Sequence, residues 1–126
     1  MAARIRIVTK SAGSFDAELT GENPLTADSV WGKLPIEGKA NTWGDEIYFT
    51  IPVKAEVESP KQVVEVGDIA YWPPGSALCI FFGPTPASWD REIRPASPVN
   101  VFAHIENNAK LLRLVHAGEK VRVERA

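Results

Sequence analysis

Glu46 and Tyr48 stand two residues apart in the run Asp45-Glu46-Ile47-Tyr48-Phe49-Thr50-Ile51, and a strand would turn both side chains to one face. A carboxyl group beside a phenol ring suits the binding of a small ligand or peptide segment. It also suits proton transfer, provided burial raises the carboxyl pKa. Three further residues add aromatic walls and an amide: Trp72 before Pro73-Pro74-Gly75, Phe82 at the end of Ala77-Leu78-Cys79-Ile80-Phe81-Phe82, and Asn100 in Val99-Asn100-Val101-Phe102. The expectation is an outer cleft lined by Glu46, Tyr48, Trp72, Phe82 and Asn100, with Thr42 and Trp43 at its border. Each residue also has a plainer role. Tyr48 can cover the barrel wall with its hydroxyl at the rim. Glu46 can cap a turn or pair with a surface lysine. Phe82 can be core, and Asn100 can satisfy loop backbone. Trp72-Pro73-Pro74-Gly75 can be a rigid turn in which Gly75 takes positive φ.

Other chemistries have less support. His104 and His116 are the two histidines, and their spacing is not that of a paired metal motif, so no metal or cofactor is expected. No Ser-His-Asp arrangement can be read. Asp45 and Glu46 are adjacent, so a strand points them to opposite faces, and they are not an acid/base pair. Gly67-Asp68 and Gly118-Glu119 read as turns entering strands rather than phosphate loops, since neither is a glycine-rich run opening a helix. The single cysteine, Cys79, has no partner for an internal disulfide, which fits a reducing, cytoplasmic setting. It reads as a small core residue. A nucleophile would need a neighbouring base or cation, and the local sequence offers none.

Composition narrows the partners. Net charge is -2 and the basic residues are scattered, so nucleic acid is not expected. No apolar run approaches the roughly 20 residues of a membrane helix. Met1-Ala2-Ala3-Arg4-Ile5-Arg6 has no long apolar stretch behind its charges, which argues against a secretory signal.

The elements that must position the site belong to one domain, residues 1–126, with a normal 44% hydrophobic and 24% charged content. Period-two alternation dominates. Phe15, Ala17 and Leu19 alternate with polar residues, as do Ile47, Phe49 and Ile51, and Val121 and Val123. Further strands are expected near Arg4–Val8, Ile36–Thr42, Asp68–Trp72 and Val99–Ile105. The run Ala77 to Phe82 is apolar on both faces, which predicts a central strand covered twice. About eight strands are too many for a small open sheet, and closing it removes the edges, so a barrel is expected. Two helices should plug its mouths. In the first, Ala27, Val30, Trp31 and Leu34 form one stripe, with Asn23 as cap, Pro24 in the first turn and Pro35 ending it. In the second, Leu111, Leu112 and Val115 lie between a cap at Asn107 and a stop at Gly118. Gly83 to Pro98 contains four prolines that forbid regular pairing, and a loop of that length is often functional.

Asn41 to Val53, Val66 to Pro86, Pro95 to Phe102 and Gly118-Glu119-Lys120-Val121 resemble the small prokaryotic cyclophilin-like family, known mainly as a domain of unknown function. The resemblance implies a mainly β fold: a closed eight-stranded antiparallel barrel capped by two short helices. True cyclophilins share that barrel and isomerise X-Pro bonds, assisted by an arginine near the proline nitrogen. Their arginine lies in a strand similar to Glu46–Ile51, which here contains no arginine. Their adjacent phenylalanines resemble Phe81-Phe82, which implies Phe82 as a pocket residue. Ile80 stands in place of their glutamine. Val99 stands nearest their histidine, and His104 comes too late. Trp89 is the candidate for their pocket tryptophan, and Arg94, in the proline-rich loop, is a candidate to swing in.

A retained aromatic wall without the polar groups of an isomerase points to a binding module for a small metabolite or peptide segment. The alternatives are a weak peptidyl-prolyl isomerase, a small-substrate enzyme using Glu46, or a homodimer formed through the same apolar surface.

Overall fold

The computed structural model describes residues 3–126. Met1 and Ala2, the first residues of the expected domain and of the segment considered as a signal, lie outside the described residues. In chain order the elements are β1 (Arg4–Thr9), β2 (Gly13–Leu19), α1 (Pro24–Trp31), β3 (Ile36–Lys39), β4 (Asn41–Thr42), β5 (Glu46–Thr50), β6 (Asp68–Trp72), β7 (Ala77–Phe81), β8 (Asn100–Ile105) and β9 (Lys120–Arg125). The strands form one antiparallel sheet in the order β3-β9-β1-β2-β8-β6-β7-β5-β4. Its two edge strands, β3 and β4, are consecutive in the chain, with Ala40 between them, so the sheet curls into a nearly closed barrel. Closure brings Gly38 of β3 against the ring of Phe49 on β5.

Nine strands replace the expected eight because the run Ile36–Thr42 is interrupted. The Ala40 N–H donates to the Glu119 carbonyl (2.8 Å), and its carbonyl accepts from the Gly118 N–H (2.7 Å). Those bonds tie Ala40 to the turn before β9 and bend the chain there.

Alternation decides what lies inside. Ile5, Ile7, Phe15, Ile47, Phe49, Leu78, Ile80, Phe102, Val121 and Val123 fill the barrel interior and are buried. A second apolar cluster lies on the outer face of β6, β7 and β8. There Ala70, Cys79, Phe81 and Val101 are covered by Val64, Ile93 and Val99 from two long loops. Every residue of β7 is therefore buried, as its two apolar faces predict. The covering loops are pinned to each other by isolated bridges, Lys61 with Val99 and Val64 with Ile93.

Of three short helical segments, two add residues to the core, and a third, the 3-10 turn Pro73–Gly75, buries none; one correction concerns the second of the core-forming pair. α1 buries Ala27 and Val30 against the core. The second segment, Ala109–Leu114, is a 3-10 helix that buries Ala109 and Leu112 and leaves Leu111 exposed. Its cap position is Asn108, at φ 62, rather than Asn107. Asn23 precedes α1, but its side chain makes no cap bond. Its Nδ2 donates to the Val101 carbonyl (2.7 Å), and its Oδ1 accepts from the Ser59 N–H (2.6 Å). The cap comes from far along the chain: the Glu58 carboxylate accepts from the N–H groups of Leu25 (3.1 Å) and Thr26 (3.0 Å).

Candidate functional site

The β5–β7 pairing builds the site. Tyr48 sits opposite Cys79, and Glu46 opposite Phe81. Side chains directly opposite in an antiparallel pair share a face, so Glu46, Tyr48, Cys79 and Phe81 all point to the outer side of the barrel. β6 adds Trp72, opposite Ala77 on the other flank of β7. These side chains frame a cavity of about 270 Å³, with Trp43, Glu46, Tyr48, Trp72 and Cys79 on the sheet side. Pro95, Ala96 and Val99 of the long loop form the opposing wall.

Local structure holds these groups in place. Trp43 enters the wall from the β4–β5 turn, where its N–H donates to the Glu46 carbonyl (3.0 Å). Gly44 follows at φ +61, and a Cβ there would lie 2.9 Å from the Pro84 carbonyl oxygen, so the turn can press against the loop only with glycine. The Trp72 indole Nε1–H donates to Ser97 Oγ (2.7 Å), which fixes the far end of the same loop. Gly75 does not take positive φ; Ser76 does, at φ 46. Gly75 is required for contact instead, since a Cβ there would lie 2.7 Å from the Trp72 ring.

Glu46 is the acidic group of the cavity lining. It is 5% exposed, its carboxyl faces the cavity, and no lysine, arginine or histidine pairs with it among the described residues. Removal from water disfavours the anion and pushes its pKa up to about 7, an effect moderated by a hydrogen bond from the Cys79 thiol. The same burial, with the adjacent carboxylate, pushes the Cys79 thiol well above its ordinary range, so Cys79 is a thiol donor here and not a thiolate nucleophile.

Of the five residues expected in the cleft, Glu46, Tyr48 and Trp72 converge, and Trp43 joins them. Phe82 and Asn100 do not. Phe82 shares its row with Leu78 and Ile80 and is buried in the barrel interior, opposite the Tyr48–Cys79 face. Asn100 is fully buried between Val99 and Val101, which face the outer cluster, so it points the other way. Its Oδ1 accepts from the Glu58 N–H (3.1 Å), and its Nδ2 donates to the Glu56 carbonyl (2.8 Å) and to Thr26 Oγ1 (3.1 Å), the backbone-satisfying role that was the alternative. Sequence reasoning missed Cys79 as a wall residue, and Pro95, Ala96 and Val99. The proline-rich composition of the loop was the available signal for Pro95 and Ala96.

Arg94 is not over the cleft. It lines an adjoining cavity with Gln62 and Ser97, and its Nε donates to Glu92 (2.8 Å). Trp89 is 76% exposed and lines no part of the cleft. Among the described residues no group of three or more metal-ligating side chains occurs, and no helix is long and apolar enough to cross a membrane.

A nearly closed antiparallel barrel with a cleft on its outer wall is the architecture of a cyclophilin-like domain. The chain belongs to the cyclophilin-like family, whose sequence description matches residues 3–124. Among solved structures it is similar to a hypothetical protein, AF2241, from Archaeoglobus fulgidus. That pair is 50% identical with a TM-score of 0.85, over 99% of this chain and 95% of the archaeal one. It is also similar in fold to McbB, solved in complex with tryptophan, at 19% identity and a TM-score of 0.75. The match spans 96% of this chain and 44% of McbB. No curated protein matches the sequence.

Proposed function

We propose that this domain is a binding module for a small molecule, held in the outer cleft between Trp43, Tyr48, Trp72 and the Pro95–Ala96 wall. The observation that carries the reading is Glu46: a carboxyl group buried in an aromatic cavity without a cationic partner. Burying a polar group without full compensation costs free energy, and such a group facing a cavity is supplied by what enters it. The volume, about 270 Å³, is near the lower end of small-ligand sites, roughly 300–1,000 Å³. It suits a compact metabolite or a single side chain of a peptide better than an extended segment.

Native mass spectrometry of freshly purified protein tests this. Ala96 is exposed at the cavity rim, so Ala96→Trp places an indole in the cleft from its solvent side and leaves the barrel interior untouched. The wild-type protein is expected to carry a small-molecule adduct that Ala96→Trp lacks. Identical spectra from the two proteins would count against the site.

The Glu46 pKa of about 7 favours a second reading, a small-substrate enzyme in which Glu46 shuttles a proton near neutral pH. Prolyl isomerisation has less support. The cleft lining contains no arginine, and Arg94 is engaged by Glu92 beside a different cavity. An X-Pro peptide assay is expected to show no acceleration. Isomerisation lost on Arg94→Ala would reverse that assignment.

A further inference from the structure

We infer that the ligand of the outer cleft is a small organic ammonium ion, with its charge on Glu46 and its body against the rings of Trp43, Tyr48 and Trp72. The inference rests on the binding-site reading above and adds the chemical class. Two independent features of the cavity converge on it. The carboxyl group of Glu46 is buried with no positive side chain beside it, so the site is short of one positive charge when Glu46 is ionised. The three ring-bearing residues that share its cavity are half-buried and line the same space. Aromatic faces attract cations and not anions, and Trp does so best. A carboxylate set among aromatic rings is therefore selective for a cation with apolar substituents. Strongly hydrated metal ions fit this cavity poorly, since among the described residues it offers Glu46 as its one carboxylate and no cluster of further oxygen ligands.

Glu46 is faced by few titratable groups. Tyr48 on its own strand and Cys79 on β7 are the titratable ones. β6 contributes Trp72, and the loop contributes Pro95, Ala96 and Val99, none of which titrates. The nearest basic residue in the loop, Arg94, is bonded to Glu92 and lines the adjoining cavity. The cation must meet the ionised form of Glu46, which dominates above about pH 7. A neutral ligand that accepts a hydrogen bond would instead meet the protonated form below that pH.

The test uses three probes of one shape: cyclohexylammonium, cyclohexanol and cyclohexanecarboxylate. The readout is the indole N–H resonance of each of the four tryptophans. Trp43 and Trp72 report the cleft. Trp31, stacked under Arg125 (4.6 Å from guanidinium carbon to ring centroid), and the exposed Trp89 are internal controls. At pH 8, cyclohexylammonium is expected to move Trp43 and Trp72 alone, with the other two probes at least roughly tenfold weaker. At pH 5.5 its binding should weaken by roughly tenfold or more as Glu46 takes up its proton. Glu46→Gln should abolish the difference between cation and alcohol while preserving the spectrum of the fold. If cyclohexanol or the carboxylate moves Trp43 and Trp72 as strongly as the cation, the ammonium assignment falls and the binding site stands. If none of the three moves them, the site itself falls.

Discussion

Glu46 holds its proton at a pH where an ordinary glutamate has lost it, and this has a consequence for stability. Its pKa is raised from 4.5 to about 7 in the folded protein. Below about pH 4.5 the carboxyl is protonated folded or unfolded, and no penalty exists. Between 4.5 and 7 the unfolded chain ionises while the fold does not, so stability falls as pH rises, and the loss is complete above about pH 7. Glu46→Gln removes the ionisation and keeps the shape. The variant is expected to be more stable than the wild type at pH 8, by at most about 3 kcal/mol, with the gap closing below pH 4.5. Thermal melts at pH 4 and pH 8 measure this, and a variant no more stable at pH 8 would contradict the burial of the charge. At this scale the sequence was legible where faces differ in polarity. Glu46 and Tyr48 alternate with Ile47 and Phe49, so their side of β5 could be read. Phe82 could not be placed that way, because both rows of Ala77–Phe82 are apolar. Its place was inferred from the cyclophilin phenylalanine pair, whereas the pairing of Tyr48 with Cys79 puts it in the other row.

Element by element, local signals marked where α1 and the strands lie, and distant residues decided how they are completed. Asn23 and Pro24 mark the start of α1 as the residue types predict, yet the cap is Glu58, more than thirty positions away. That partner has no local signature, and Asn23 was free to fasten Ser59 and Val101 instead. Glu58 thus joins the first turn of α1 to the segment that crosses the outer sheet. Glu58→Ala should lower the melting midpoint, since it removes the partner of two N–H groups in the first turn. Hydrogen exchange should show the Leu25 and Thr26 amides losing protection first. Unchanged exchange there would mean that the carboxylate does not hold the helix. The segment Leu111–Val115 leaves its helix type open for a related reason: an apolar stripe of three residues fits a 3-10 turn as well as an α-helix, and nothing in so short a run separates them.

For the whole molecule, about eight expected strands favour a closed sheet, and the fold is a nearly closed one. The place of closure was hidden, because the break at Ala40 depends on a turn almost eighty residues later. Closure also explains Gly38. A Cβ there would lie 2.7 Å from Cγ of Phe49, a fully packed ring with no room to retreat. Gly38→Ala is therefore expected to destabilise the fold by about 1–3 kcal/mol, with a lower melting midpoint and an unchanged far-ultraviolet spectrum. A variant as stable as the wild type would show that β3 and β5 do not press together. The doubly covered β7 has a consequence of another kind. Its odd and even positions serve separate masters: Leu78 and Ile80 pack the barrel interior, while Cys79 belongs to the outer cluster and lines the outer cavity. Inheritance can therefore edit the outer register without endangering the inner one. One scaffold can thus take a different outer lining through alternate letters of a single five-residue word.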